Sequence, residues 1–344
     1  MKIRLAALLA VSPLLSPAIF AADTSYRIAR TIPAGGEGGW DYLNVDAAAR
    51  RLYVSRGTRV AVLNADSGAA EGEIPSTEGV HGIALAPDLG RGFTSNGRAN
   101  TITIFDPKTL ATVGTVQVTG ENPDAILYDP FSRRVFAFNG RTANATAVEG
   151  ATGVVAGTIA VGGKPEFAVT DLAGRIYVNI EDKNEIVALN PKTLQVETHW
   201  PLAGCDSPTG LAIDVKTRRL FAGCGNQTLV VLSAADGRFV TKLAIGKGTD
   251  AVVFDPDTNL VFSSNGDGTL TIIREDSADA FHVVQNLATK EGARTMALDP
   301  KTHAIFLPAA RWEPAPPATA ESPRPRRKMV TGSFEIVVAA PAVK

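Results

Sequence analysis

Seven times along this chain an aromatic residue sits in the same local frame, flanked by apolar, small and polar positions. The segments are RLYVS, RGFTS, RVFAF, RIYVN, RLFAG, LVFSS and AIFLP. Their aromatics are Tyr53, Phe93, Phe136, Tyr177, Phe221, Phe262 and Phe306, separated by 40, 43, 41, 44, 41 and 44 residues. A period of that size marks one structural unit used seven times, because such a unit buries its apolar faces only against its neighbours. Each unit reads as four short strands: an apolar one such as 124–128, a turn such as Asp129-Pro130, the aromatic strand, then alternating strands such as 101–105 and 113–118. Asp106-Pro107-Lys108, Asn190-Pro191-Lys192, Asp255-Pro256-Asp257 and Asp299-Pro300-Lys301 supply the turn chemistry between strands. Long amphipathic helical patterns are missing. The fold class is therefore all-β, a seven-bladed β-propeller of four-stranded blades. A parallel β-helix repeats at a much shorter period, and a sandwich does not repeat seven times.

The two ends complete the scheme. The last unit has strands at 295–298, 304–307 and 333–338 and then lacks its outer strand. A strand at 25–32 precedes the first complete unit, so it is expected to pair against 334–338 and close the ring, removing two exposed edges at once. Residues 1–22 read as a secretory signal, with basic Lys2 and Arg4, an apolar run at 5–15, and small Ala21 and Ala22 marking the cleavage region. That run is about half the roughly 20 residues a membrane span needs. One propeller domain over 23–344, periplasmic or secreted, with no transmembrane segment, is the expectation. Formal net charge is −1, and −3 once Lys2 and Arg4 leave with the signal, so no basic field favours nucleic acid.

Cys205 and Cys224, the only cysteines, fall in two loops on one face of one unit and are expected to form a disulfide in an oxidising compartment. Residues 312–328 interrupt the last unit between its second and third strands. Pro314, Pro316, Pro317, Pro323 and Pro325 force extended backbone there, and Arg324, Arg326, Arg327 and Lys328 add charge. The insertion is expected on the face of the binding site, as a partial lid or a dock for an acidic partner.

Units such as ARRLYVSRGTRVAVLNADSG and NTITIFDPKTLATVGTVQV resemble the YVTN-repeat propellers, in particular the YncE-like periplasmic proteins. The resemblance covers the chain beyond the signal and implies a propeller and export. Its motif is a packing motif, so activity stays open.

In propellers the loop entering the innermost strand and the loop joining the second and third strands open on one face around the channel. Counting back five residues from the turn that ends each inner strand gives Asp41, His81, Asp124, Glu166, Thr209, Asp250 and Arg294 as the ring at the channel mouth. Like charges confined to a ring raise one another's pKa and repel. Offsets include Arg294 beside Asp250 or Asp41, a divalent cation such as calcium gathering Asp41, Asp124, Glu166 and Asp250 with His81 nearby, or plain solvation of the strand starts. Asn96, Asn139 and Asn265 each precede glycine on the same face. They are expected to form turns through positive φ, with their amides as further ligand contacts. Asn265-Gly266-Asp267-Gly268 lacks the acidic residue at loop position twelve that an EF-hand requires. His199, His282 and His303 fall in outer strands or on the opposite face.

No G-x-S-x-G, H-E-x-x-H or phosphate-cradling G-x-x-x-x-G-K-[ST] motif occurs. Gluconolactonase-type propellers hold one divalent cation at the channel mouth through acidic and Asn side chains, and this chain is similar to them in residue types and placement only. Two functions follow: a non-catalytic, monomeric propeller binding a small polar ligand or a protein partner, and a metal-dependent hydrolase or lyase of lactonase type.

Overall fold

The computed structural model describes residues 25–317, 319 and 327–342. The expected signal, 1–22, lies outside the described residues, as do 318 and 320–326 of the insertion. The strands assemble into seven antiparallel four-stranded sheets, and six of these take their strands in sequence order. Those six occupy 43–74, 80–117, 123–160, 165–201, 208–244 and 249–288 and are called blades 1 to 6 here. Blade 7 has the order Tyr26–Pro33, Glu335–Pro341, Ala304–Ala309, Ala297–Asp299, so the N-terminal strand supplies its outer edge. The chain is a seven-bladed β-propeller.

Burial follows position in the blade. Second strands such as Arg134–Asn139 and Leu260–Asn265 are covered on both faces by adjacent blades, which is why they run apolar without alternation. All seven repeat aromatics sit on these strands and are 0–1 % exposed. Outer strands such as Gln195–Pro201 alternate strictly, with one face to solvent. The arginine two positions before the aromatic ties neighbours together. Arg51 donates to the Pro107 and Lys108 carbonyls of blade 2, and Arg134 to the Pro191 and Lys192 carbonyls of blade 4 at 3.0 and 2.9 Å. Arg219 likewise donates to the Ala278 carbonyl of blade 6 at 2.6 Å.

On the face opposite the mouth, each turn after an inner strand needs one residue in the left-handed region, filled by Arg50 at φ 57°, Arg133 at 59° and His303 at 60°. All three side chains also latch the previous blade: Arg50 to Asp299 at 2.8 Å, Arg133 to Asp88 at 3.5 Å and His303 to Asp255 at 2.8 Å.

Ring closure pairs Tyr26 with Pro341 through to Pro33 with Glu335, so the contact extends beyond the expected 334–338. Tyr26 stands edge-on to Phe262 of blade 6 at 5.0 Å, and its hydroxyl donates to the His303 carbonyl at 3.0 Å. The Gln285 amide of blade 6 bonds both the N–H and the carbonyl of Tyr26. Cys205 and Cys224 form the expected disulfide, with Cα atoms 5.4 Å apart. The insertion rises from a short stem in which Trp312 pairs with Met329 and Glu313 N–H donates to the Lys328 carbonyl at 2.8 Å. Trp312 packs on Trp40 at 5.5 Å, which roots the insertion next to Asp41.

Candidate functional site: the channel mouth

The residues expected at the mouth occupy equivalent places. His81, Asp124, Glu166, Thr209 and Asp250 are each second in their inner strand, while Asp41 and Arg294 precede theirs. Their backbones are clamped from the preceding blade. Ser95 donates to the Asp124 carbonyl, Asn179 to that of Thr209 at 2.9 Å, Ser264 to that of Arg294, and Thr295 to that of Asp41 at 2.7 Å. Small hydroxyls and amides, on the second strands except for Thr295 beside the inner strand of blade 7, therefore fix where the ring side chains start.

Three groups form within the ring. His81 Nδ1 lies 2.6 Å from Asp41 Oδ2 and 3.7 Å from Asp124 Oδ1. Arg294 pairs with Asp250 at 3.2 Å, one of the two partners expected for it. Lys164, which sequence reasoning missed, bonds Glu166 at 2.7 Å and also Glu181. It escaped notice because it lies in the loop before its strand, outside the counted register.

Electrostatics reflect this crowding. Burial opposes a charged His81 ring, yet the Asp41 hydrogen bond and the charges of Asp124, Asp41 and Glu166 outweigh it and hold the pKa at about 9. Burial pushes Asp124 up, partly countered by His81, and pushes Glu166 up with the Asp124 charge adding to it. Asp250 rises to about 7, mainly through burial, against the pull of Arg294. The Tyr42 phenol, directly after Asp41, is raised well above its ordinary value by burial and by the charges of Asp124, Asp41, Glu166 and Asp250. Tyr42 packs edge-on against Phe167 at 5.3 Å, and the two rings line a channel cavity of about 240 Å³ with Leu43, Ile83 and Ile126.

Asp41, His81 and Asp124 each offer a donor atom, all within 4.8 Å of one another. Glu166 and Asp250, expected in the same cation set, stand outside it with their own basic partners. Thr209 donates its hydroxyl to the Thr249 carbonyl at 3.0 Å.

The asparagines depart from expectation. Asn96, Asn139 and Asn265 are buried, and their amides donate to Thr101 and Thr103, to Asn144 and Thr146, and to Thr269 and Thr271 of the next strand. They staple the blade instead of facing the channel. Nor does positive φ fall on these Asn-Gly pairs; it falls later in each loop, at Asn100, Ala143 and Gly268. At two of the pairs glycine follows for space: a Cβ on Gly97 would stand 2.7 Å from His81 Nε2, and one on Gly266 would stand 3.1 Å from the Gly248 carbonyl oxygen.

A second cluster, Asp255, Asp257 and His303, lies on the opposite face. Asp255 is already saturated there by the Asp257 N–H, the Thr258 hydroxyl and His303, so the cluster is a turn and a blade latch.

No family model matches the chain, and no curated protein matches it. Solved structures share its fold. A chain of a mitotic checkpoint complex superposes with a TM-score of 0.74 at 12% identity over 100% of both chains. A chain of hydrazine synthase from Kuenenia stuttgartiensis does so with 0.70 at 10% identity, over 86% of this chain and 96% of that one. At such identity the likeness shows the propeller and nothing about activity. Among the described residues no helix is long and apolar enough to cross a membrane, and the disulfide is compatible with an exported protein.

Proposed function

We propose that this chain is an exported, YncE-like propeller of the YVTN-repeat kind that binds a small polar ligand at its channel mouth without transforming it. What supports the reading is the side-chain inventory of the mouth. Asp41, Asp124, Glu166, Glu181 and Asp250 face His81, Lys164 and Arg294 across six blades, with Asp41–His81 at 2.6 Å, Glu166–Lys164 at 2.7 Å and Asp250–Arg294 at 3.2 Å, so carboxylates outnumber bases. A rigid ring backbone holding charges of both signs suits a compact ligand with one cationic group and several hydrogen-bonding groups. The repeat motif and the leader-like residues 1–22 support the family and the export.

The test is a thermal-shift panel of amino acids, polyamines and sugars. A ligand present at 100 times its Kd stabilises the fold by about 2.7 kcal/mol. At least one compound is expected to raise Tm, and the shift is expected to vanish in Glu166→Gln and Arg294→Gln. A panel with no hit, or a shift that survives both substitutions, rejects the mouth as the ligand site.

A further inference from the structure

We infer that Asp41, His81 and Asp124 form a three-ligand site for one divalent transition-metal ion, leaving its remaining coordination positions open to the channel. This rests on the mouth being the ligand site, and it names what the ligand would meet there.

Donors on one metal at bond lengths of about 2.0–2.2 Å stand roughly 3–3.5 Å apart. His81 Nδ1 is 2.6 Å from Asp41 and 3.7 Å from Asp124, so small side-chain adjustments bring all three to that spacing. One imidazole nitrogen with two carboxylates is a borderline donor set suited to zinc, manganese, iron or cobalt. Calcium takes 6–8 oxygens, which these residues do not supply.

Two further observations point to the same spot. The first is Gly97, whose φ lies outside the left-handed region, so no backbone demand calls for glycine. A Cβ there would lie 2.7 Å from His81 Nε2 and 2.8 Å from Cδ2. Its absence lets the imidazole lie back with Nδ1 toward the two carboxylates.

The second is Tyr42. Four of the five tyrosines have a hydroxyl partner: Tyr26 with the His303 carbonyl, Tyr53 with that of Pro107, Tyr128 with Asp88 and Tyr177 with the Ala234 carbonyl. Tyr42, directly after Asp41, is only 8% exposed, lines the channel cavity with Phe167, and has none among the described residues. An oxygen of water or ligand on the metal would accept its hydrogen bond.

The experiment uses the full chain stripped with a chelator and titrated calorimetrically with Zn²⁺ and Mn²⁺ alone, with Co²⁺ absorbance as the report on geometry. One equivalent is expected to bind. Affinity is expected to fall on the order of 100-fold in His81→Gln and Asp124→Asn and to stay within a few-fold in Asp250→Asn. Melting curves check the fold of each variant, and Gly97→Ala, which keeps all three donors but presses on the imidazole, gives an independent second reading through weakened binding. No uptake by the wild type, full affinity in His81→Gln, or a loss confined to Asp250→Asn would overturn the assignment. Metal uptake with an empty ligand panel would sink the ligand proposal alone, and ligand shifts in a chain that takes up no metal would sink this one alone.

Discussion

Replacing Tyr26 by Ala removes the side chain that fastens the outer strand of blade 7 onto blade 6. The residue is 2% exposed, its ring stands edge-on to Phe262 at 5.0 Å, and its hydroxyl donates to the His303 carbonyl at 3.0 Å. Truncating a buried aromatic to Ala costs about 3–5 kcal/mol, the lost packing included. The hydroxyl bond adds about 1 kcal/mol. Tyr26→Ala is therefore expected to lose about 4–6 kcal/mol and Tyr26→Phe about 1 kcal/mol. A cycle with Phe262→Ala should show a coupling of about 1 kcal/mol, from the ring pair alone. Equilibrium urea unfolding followed by tryptophan fluorescence measures all five proteins, the double variant included, and an unchanged m-value shows that only stability has moved. A loss under 1 kcal/mol in Tyr26→Ala, or equal losses in the Phe and Ala variants, would refute the account of ring closure.

Replacing both Cys205 and Cys224 by Ser is expected to cost about 3 kcal/mol, from the 19-residue span the bridge closes; thiol titration of the denatured, unreduced wild type should find no free sulfhydryl. Glu275, buried beside Thr217, has its pKa raised to about 7 by burial, with Asp214 adding to the shift and Thr217 and Arg219 opposing it. The folded protein thus keeps this proton where the unfolded chain has lost it, so stability from this group falls as pH rises from 4.5 to about 7 and is flat above. Glu275→Gln is expected to gain roughly 2–3 kcal/mol on the wild type between pH 4 and pH 8, and parallel pH profiles of the two proteins would contradict it.

Blade number and ring positions were legible because both depend on backbone register. Tyr53, Phe93 and their five counterparts occupy one packing environment, so their spacing is the blade itself. The same register puts Asp41, His81 and Asp124 together from three blades. Register does not say which way a long side chain turns. Glu166 turns to Lys164, two residues earlier in a loop, and Asp250 to Arg294, so the expected four-carboxylate set divides. The Asn-Gly pairs misled for a related reason: turn propensity looks the same whether glycine serves a left-handed backbone or, as at Gly97, makes room for an imidazole from another strand.

The pairing of Tyr26–Pro33 with Glu335–Pro341 also sets an order of events at synthesis. Pro33 and its partner Glu335 are 302 residues apart. At 5–20 residues per second the first strand waits roughly 15–60 s for its complement. Until then Tyr26–Pro33 and Ala304–Ala309 both lack the strand that lies between them in the closed ring, and an unpaired edge is where a second copy can join. A chain arranged this way finishes folding only when its last strand arrives. Whatever keeps it from associating in that interval, a chaperone or transit in the unfolded state, acts before the ring closes and has no purchase on it afterwards.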